Sequence, residues 1–367
     1  MKKLTADKKI REQLFTAYII IIVIGLVMIY STSSVMAESR FGSNFHFLKN
    51  QFFWVLVSMF AIWIINKVDL KKIAIYSAPS LFGIMLLLLL VFLMPTRNGS
   101  HRWLILGPFT MQPSELFKLV MIFYLAFSLS NPKRNLSDWK QLLFPYVPLL
   151  GLGMMLIVLE PDLGTVLVIA ITAISIFFLA GAKLKHMIFG LAPMAMGALV
   201  LVFGLGYKKA RIMDFISSIG NPLLGSYQSK QAALTLGAGG ITGAGLGDGR
   251  QKLFFLPYPH TDFIFASIGE EIGLVGLLFI LSTLFFILWK GLKVASMQPD
   301  KFGFLLAAGM TISLFINIAI NLGVVCSILP VTGLPLPFIS YGGSSLLISS
   351  AAIGVLLNLS RRVVVKR

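Results

Sequence analysis

The sequence predicts an all-α polytopic membrane protein with ten transmembrane helices and a long outer loop between helices 7 and 8. Two features of the composition support this prediction: hydrophobic residues make up 57% of the 367 residues, and charged residues make up 12%, whereas soluble domains carry about 25% charged residues. The third is spacing, because the apolar residues fall into ten runs close to the roughly 20 residues that a spanning helix needs. A soluble globular domain and a disordered chain are excluded, and the single cysteine excludes a disulfide scaffold.

Each apolar run predicts one span. The runs cover residues 14–36, 51–66, 74–94, 114–130, 142–159, 163–181, 187–206, 262–289, 303–327 and 343–360. The first run is longer than the apolar core of a signal peptide, so we expect it to be a retained span. We expect residues 1–367 to form a single membrane domain. Its outer loop, 207–260, is much longer than a usual connection and too rich in aromatic and aliphatic residues for disorder.

The distribution of basic residues predicts the orientation. With the N-terminus inside, the inner segments hold 20 Lys and Arg residues and the outer segments hold 10. An excess of Lys and Arg marks cytoplasmic loops, so both termini are expected in the cytoplasm. Most of the net charge of +17 is then a consequence of topology, and we expect no nucleic-acid partner.

The first candidate site is the segment from Gln112 to Lys118, at the outer start of the fourth span. Pro113 and Ser114 are typical of a helix start, with Ser114 as the N-cap. Lys118 lies one turn further and can reach back toward the surface, where the positive end of the helix dipole favours a phosphate. Alternatively, Glu115 and Lys118 pair with each other, because residues three apart are neighbours on a helix.

The second candidate is the tight outer turn Glu160-Pro161-Asp162, between the fifth and sixth spans. One interpretation is turn chemistry, with Asp162 capping the sixth helix. The other is functional: Asp162 would be a metal ligand, or a partner of Lys118 or Arg102.

The third candidate is Asp262, at the outer start of the eighth span. Two prolines end the outer loop, and the helix is expected to begin near Thr261, which places Asp262 in its first turn. A carboxylate there is stabilised by the helix dipole, so a purely structural aspartate is one interpretation. A general base at the membrane–water interface is the other. His260 is a weaker candidate, because most single histidines are structural.

The fourth candidate is the segment 330–345, which is rich in proline and glycine. A glycine pair precedes the tenth span. The backbone N–H groups there can bind an oxyanion, together with the hydroxyls of Ser340, Ser344 and Ser345. Close loop packing explains the same composition equally well. The glycine run 237–247 resembles a nucleotide loop only superficially, because no strand precedes it and no GxGxxG register fits. We therefore expect no nucleotide cofactor.

At these positions the sequence resembles the SEDS family of bacterial cell-wall polymerases, which includes FtsW and RodA. The matching stretches are RWLILGPFTMQPSELFKL (102–119), EPDLGT (160–165), YQ…LGAGGITGAGLGDGRQK (227–252), LPYPHTDFIFASIGEEIGLVG (256–276) and LPVTGLPLPFISYGGSSLL (329–347). Their order and the ten-span layout extend the resemblance over nearly the whole chain. The motifs GLGDGRQKLFFLP and SIGEEIGLVG are more similar to the division member, FtsW, than to the elongation member, RodA.

The resemblance implies a peptidoglycan glycosyltransferase that polymerises lipid II at the outer face of the bacterial cytoplasmic (inner) membrane. It implies a class B penicillin-binding protein as partner, with other divisome or elongasome membrane proteins. Asp262 matches the family's catalytic aspartate, and Lys118, Asp162 and Asn321 match further family positions. Tyr258 stands where the family usually has glutamate.

The expected reaction is an inverting attack of the acceptor sugar's hydroxyl on the anomeric carbon of a lipid-linked donor. Asp262 would take the hydroxyl proton. The departing lipid pyrophosphate would be stabilised by cations and by a divalent metal ion, Mg²⁺ or Mn²⁺, held partly by Asp162. The residues expected to bind substrate or pyrophosphate are Lys118, Arg102, Glu115, Ser340, Ser344, Ser345, Asn321 and His260.

Two other functions are compatible with parts of the sequence. A lipid II flippase needs ionisable groups along a path through the bilayer, and Glu270 and Glu271, inside the eighth span, favour it. A non-catalytic division scaffold is the second alternative. Both explain poorly why Lys118, Asp162 and Asp262 concentrate at outer helix ends, so polymerisation is the favoured function.

Overall fold

The computed structural model describes residues 2–96, 100–107, 109–134, 138, 140, 144–183, 185, 204, 206, 209–219, 221, 225–249, 256–257 and 259–362. Within these ranges the protein is a bundle of apolar helices, six of which are long and apolar enough to cross a membrane. Shorter apolar helices pack beside them. The chain is therefore a multi-pass membrane protein.

The helices are numbered here in chain order. They are α1 (Lys2–Phe41), α2 (His46–Lys67), α3 (Leu70–Ile75), α4 (Ser77–Val91), α5 (Pro113–Leu129), α6 (Val147–Leu159), α7 (Leu163–Ala180), α8 (Lys209–Ser218), α9 (Tyr227–Ala238), α10 (Ile264–Ser296), α11 (Lys301–Val325) and α12 (Gly343–Arg362).

Nine of the ten predicted spans coincide with a helix, namely α1, α2, α4, α5, α6, α7, α10, α11 and α12. The third prediction began too early, because a separate short helix, α3, precedes α4. The predicted seventh span, 187–206, lies almost wholly outside the described residues. Ten spans and the place of the long outer loop between the seventh and eighth therefore stay predictions. Part of that loop is helical, since it contains α8 and α9.

A small antiparallel hairpin interrupts the helical architecture before α5, and the all-α prediction missed it. Strand β1 (Leu104–Leu106) pairs with β2 (Phe109–Met111), and Leu104 lies opposite Met111. Gly107 opens the connection with a φ of 62°, a conformation that glycine adopts without steric cost. Two strands of three residues are too short to give a period-two signal in the sequence.

The helix ends gather at two opposite faces of the bundle. The terminal face carries the start of α1 and the ends of α2, α10 and α12. There Lys290 donates to Gln13 Oε1 at 2.7 Å, and the Gln298 amide donates to the carbonyl of Leu359 at 3.2 Å. The site face carries the starts of α5, α7, α10 and α12, and with them Arg102, Asp162 and Asp262.

The outer segment, as the predicted outer loop 207–260 is called, is bound in part to a break in α10. Gly273 has a φ of 65°, which interrupts the helix, so carbonyls before the break are free to accept other donors. Ala244 N–H donates to the carbonyl of Glu270 at 2.9 Å, and Gly245 N–H donates to that of Glu271 at 3.0 Å. A Cβ on Gly273 would lie 2.3 Å from the backbone nitrogen of Gly243, so only glycine fits this junction.

Candidate functional site

Asp262 lies in the turn that leads into α10, and its backbone is held by two neighbouring elements. Asn321, near the end of α11, donates from Nδ2 to the carbonyl of Asp262 at 2.9 Å and to that of Leu334 at 2.7 Å. Ser340 donates to the carbonyl of Thr261 at 2.7 Å. These bonds join α11, the segment before α12 and the Asp262 turn into one unit, in which the residue Asp262 is half-buried.

The segment before α12 is itself fixed. Leu336 N–H donates to Ser340 Oγ at 2.8 Å, and Phe338 adopts a φ of 71°, an uncommon conformation for a bulky residue that surrounding contacts must maintain. Gln51 of α2 donates to the carbonyl of Ser340 and accepts from the N–H of Gly342. Asp262 is therefore carried by a rigid support.

Arg102 and Asp162 form the second part of the site. The Arg102 guanidinium donates to the carbonyls of Glu160, at 3.0 Å, and Pro161, and it lies 3.9 Å from Asp162 Oδ1. Asp162 caps α7 by accepting from the N–H and hydroxyl of Thr165 at 3.2 and 2.9 Å. Asp162 therefore both caps α7 and is a partner of Arg102, so these two interpretations of the sequence are compatible.

Two carboxyl groups at the site have raised pKa values. Burial raises the pKa of Asp262 to about 6; Arg102 and Arg211 act against this and Asp162 adds to it. Burial, with a further contribution from Asp162, raises the pKa of Glu160 to about 9, so this group is a neutral acid near pH 7. Glu160 is fully buried, and neither of its carboxyl oxygens has a hydrogen-bond partner. Asp262 is thus mostly ionised at neutral pH but close to its titration range.

Lys118 and Glu115 do not reach the Asp262 turn; they bind each other. Lys118 Nζ lies 3.0 Å from Glu115 Oε1, and both side chains are almost completely buried. Beside Lys118 is a cavity of about 10 Å³, enough for a single water molecule. The structure therefore shows the predicted alternative in which Glu115 and Lys118 pair with each other. Lys118 is not free at the surface.

The remaining predicted residues differ in their surroundings. Ser344 accepts from the N–H of Gln112 at 3.1 Å and so ties the start of α12 to that of α5, while Ser345 is half-buried one residue further. His260 packs against the rings of Phe47 and Tyr341, at centroid distances of 4.5 and 5.6 Å. Burial, assisted by Arg40, lowers the pKa of His260 to about 4, which suits a neutral packing residue.

The carboxylate of Asp162 is already engaged, which bears on the predicted metal ion. Besides Thr165 and Arg102, the Gln112 amide donates to Asp162 Oδ2 at 2.8 Å. Among the described residues, no three His, Cys, Asp or Glu side chains are close enough together to hold a metal. The divalent cation stays a prediction.

Two local predictions were wrong. Ser114 is not the N-cap of α5: the cap is Gln112, with Pro113 in the first turn, and the Ser114 hydroxyl is buried without a partner. Asp262 is not in the first turn of α10, which begins at Ile264, because the bonds to the Asp262 turn hold its backbone outside the helix.

Sequence reasoning also missed several residues of the site. Gln51 and Gln112 connect its parts, but an isolated glutamine gives no signal in a sequence. Arg211 of α8 acts on the pKa of Asp262, and only the fold brings α8 near it. Tyr258, where the family usually has glutamate, lies outside the described residues.

Comparison with known proteins adds independent information. Residues 11–364 match the profile of the cell cycle protein family that comprises FtsW, RodA and SpoVE. The chain is 39% identical to a probable peptidoglycan glycosyltransferase FtsW of Geobacter metallireducens, covering 92% of this chain and 91% of the relative. It is 40% identical to the stage V sporulation protein E of Bacillus subtilis, covering 94% of each.

Solved structures give the same result for the fold. A chain from a peptidoglycan synthase complex, reported for its coordination of polymerization and crosslinking, superposes with a TM-score of 0.77 at 25% identity, covering 96% of this chain and 98% of that one. The rod shape determining protein RodA of Thermus thermophilus, crystallised as a point mutant, superposes with a TM-score of 0.70 at 25% identity and the same coverage.

Proposed function

Because this chain belongs to the FtsW, RodA and SpoVE family of cell cycle proteins, we propose that Asp262 is the general base with which it polymerises lipid II. The chain is a membrane-embedded peptidoglycan glycosyltransferase of cell division or elongation. Two relatives at 39% and 40% identity, a probable FtsW and a stage V sporulation protein E, support the division-type role.

The observation that carries the proposal is the state of Asp262. Its backbone is fixed by Asn321 and by the segment before α12, and burial raises the pKa of its carboxylate to about 6. A general base works best when its pKa lies near the working pH and its position is fixed. Asp262 would accept the proton of the acceptor hydroxyl as that oxygen bonds to the anomeric carbon, which inverts the configuration there.

The leaving group is a lipid pyrophosphate, which departs as an anion and needs no proton donor. Arg102 is the cation best placed to stabilise it, because it is only partly buried and lies near both Asp162 and Asp262. Preorganised cations aimed at developing charge lower the barrier most when water is excluded. Lys118 would contribute directly only if its ion pair with Glu115 opened.

The proposed setting is the outer face of the bacterial cytoplasmic membrane, with both termini in the cytoplasm. The excess of Lys and Arg in the predicted inner segments supports this orientation. A site at helix ends leaves the lipid tails of both substrates in the bilayer. The similarity to a chain of a polymerising and crosslinking synthase complex supports a crosslinking partner, which we propose to be a class B penicillin-binding protein.

The flippase alternative loses its main support. Glu271 accepts from the hydroxyl of Ser31 and from the N–H of Gly247, and the carbonyls of Glu270 and Glu271 bind the outer segment. These residues hold the outer segment against α10, so their position inside a span has a structural explanation.

The test is gel analysis of glycan products from labelled lipid II, with the purified protein and a partner whose own glycosyltransferase is inactivated. Asp262→Asn should lower the rate by about 10²–10⁴-fold, the usual contribution of a general base, without loss of folded protein. The matched control is Asp214→Asn, an exposed aspartate of α8, which should keep the full rate. An unchanged product ladder from Asp262→Asn would refute the base assignment.

A further inference from the structure

The terminal face contains a cavity that the proposed reaction does not use. It has a volume of about 530 Å³ and is lined by residues of α3, α5 and the start of α11. Lys301 lines it, while Asn321 on the same helix binds the Asp262 turn. Twenty residues of helix, at about 1.5 Å each, separate the two by about 30 Å, which is the thickness of the hydrocarbon core.

The charges of this cavity are unbalanced. Its charged lining residues are Lys71, Arg134, Lys301 and Asp300. Lys71 Nζ lies 2.7 Å from Asp300 Oδ2, so these two charges compensate each other. Arg134 and Lys301 have no acidic partner among the described residues, and the lining carries a net charge of +2. The Arg134 guanidinium lies over the ring of Tyr146, 5.3 Å from its centroid, which fixes its position.

Apolar side chains adjoin these cations. Ile75 and Phe127 line the cavity and are 58% and 39% exposed, as expected of apolar side chains that contact lipid. The volume lies within the 300–1,000 Å³ typical of ligand sites. Cations at helix ends beside a lipid-facing apolar strip match a molecule with a phosphate at one end and hydrocarbon at the other.

We propose that this cavity binds the phosphate of an anionic phospholipid, with Arg134 and Lys301 as its ligands and an acyl chain along Ile75 and Phe127. Basic pockets between helices on the cytoplasmic side are the usual form of such sites. The anionic headgroup completes a charge balance that the chain leaves open. The site is independent of the glycosyltransferase assignment, because it lies at the other face.

The test uses the full-length protein in neutral detergent and measures retained lipid by native mass spectrometry. Phosphatidylglycerol and the zwitterionic phosphatidylcholine are added in parallel. The first variant is Arg134→Gln/Lys301→Gln. Each cation near a bound anion strengthens binding by roughly fivefold, so this variant should bind phosphatidylglycerol about 25-fold more weakly. The matched control is Lys72→Gln/Lys133→Gln, which removes the same charge from exposed neighbours outside the lining and should bind normally.

A second variant keeps the proposal testable if the first does not fold. Asp300→Asn releases Lys71 from its partner and should strengthen phosphatidylglycerol binding severalfold. Equal losses in both double variants, or equal binding of the two lipids, would overturn the proposal. If millimolar inorganic phosphate or glycerol 3-phosphate displaced the lipid, the proposal of a lipid ligand would be overturned. The site would then be assigned to a soluble phosphate compound.

Discussion

Replacing Asn321 by leucine is the sharpest test of how the Asp262 turn is held. Leucine has nearly the same shape but cannot donate a hydrogen bond. The change therefore removes both bonds from Asn321 Nδ2, to the carbonyls of Asp262 and Leu334, without opening a large cavity. The Asp262 carboxylate itself is left unaltered.

The expected magnitude follows from those two carbonyls. A buried acceptor that loses its donor costs about 1–3 kcal/mol, so Asn321→Leu should lower the free energy of unfolding by about 2–6 kcal/mol. Where the fold survives, the turn carrying Asp262 is free to shift. A displacement of 1 Å at a reacting group can cost about 10²-fold in rate, and we expect kcat to fall by that order while KM changes little.

The assay is the rate of glycan synthesis from lipid II between pH 5 and 8. Asp262 must be ionised to act as a base, so native activity should fall as the pH drops through about 6. If the loosened turn admits water, burial raises the pKa less and this acidic limb should move to lower pH. The matched control is Asn317→Leu, one turn earlier on α11, whose amide donates only to Ser313 within its own helix.

An Asn321→Leu variant with native kcat and an unmoved acidic limb would refute the positioning role, even if its stability were lower. Equal kinetic losses in Asn317→Leu would show that the effect comes from α11 in general.

Three further substitutions test other parts of the structure. The variant Glu160→Gln should keep the native activity within about threefold at pH 7, because Glu160 is already neutral there. The pKa of Glu160 is raised to about 9 in the folded protein, so the stability that its neutral form contributes is lost as the pH rises from about 4.5 to 9. Glutamine does not ionise, so at pH 8 the variant should have a higher thermal stability than the native protein. Gly273→Ala should detach the outer segment from α10 and increase its proteolysis, whereas Gly237→Ala, where a Cβ has free space, should not. Lys118→Met should destabilise the protein by about 3–5 kcal/mol, because it leaves Glu115 buried and unpaired. Adding Glu115→Gln should restore most of the lost stability. If Lys118→Met were inactive but fully stable, the result would instead support a phosphate-binding role for Lys118.

The sequence predicted what depends on local composition. Apolar runs located nine described helices, because a spanning segment must satisfy its backbone internally and expose apolar side chains to lipid. The positions of Asp262, Asp162 and Arg102 near one face also followed, since each adjoins a predicted outer helix end and the ends meet there.

The rest depended on contacts between distant segments. From the sequence, Lys118 could either bind a phosphate at the surface or pair with Glu115. The structure shows the buried pair with Glu115. The roles of Gln51 and Gln112 come from bonds to residues 289 and 50 positions away, which no local pattern encodes. The raised pKa of Glu160 likewise requires a burial that only the packing of the turn produces.

Side-chain donors hold the Asp262 turn through backbone carbonyls, among them those of Thr261 and Asp262, and this has a genetic consequence. Neither of these two bonds involves the side chain at position 262, so we expect a cell expressing Asp262→Asn to accumulate a protein of native shape. Such a protein would still occupy its partner and its substrate. Expressed beside the native copy, it should act as a dominant inhibitor of wall synthesis, whereas Asn321→Leu, which weakens the scaffold itself, should behave as a recessive loss.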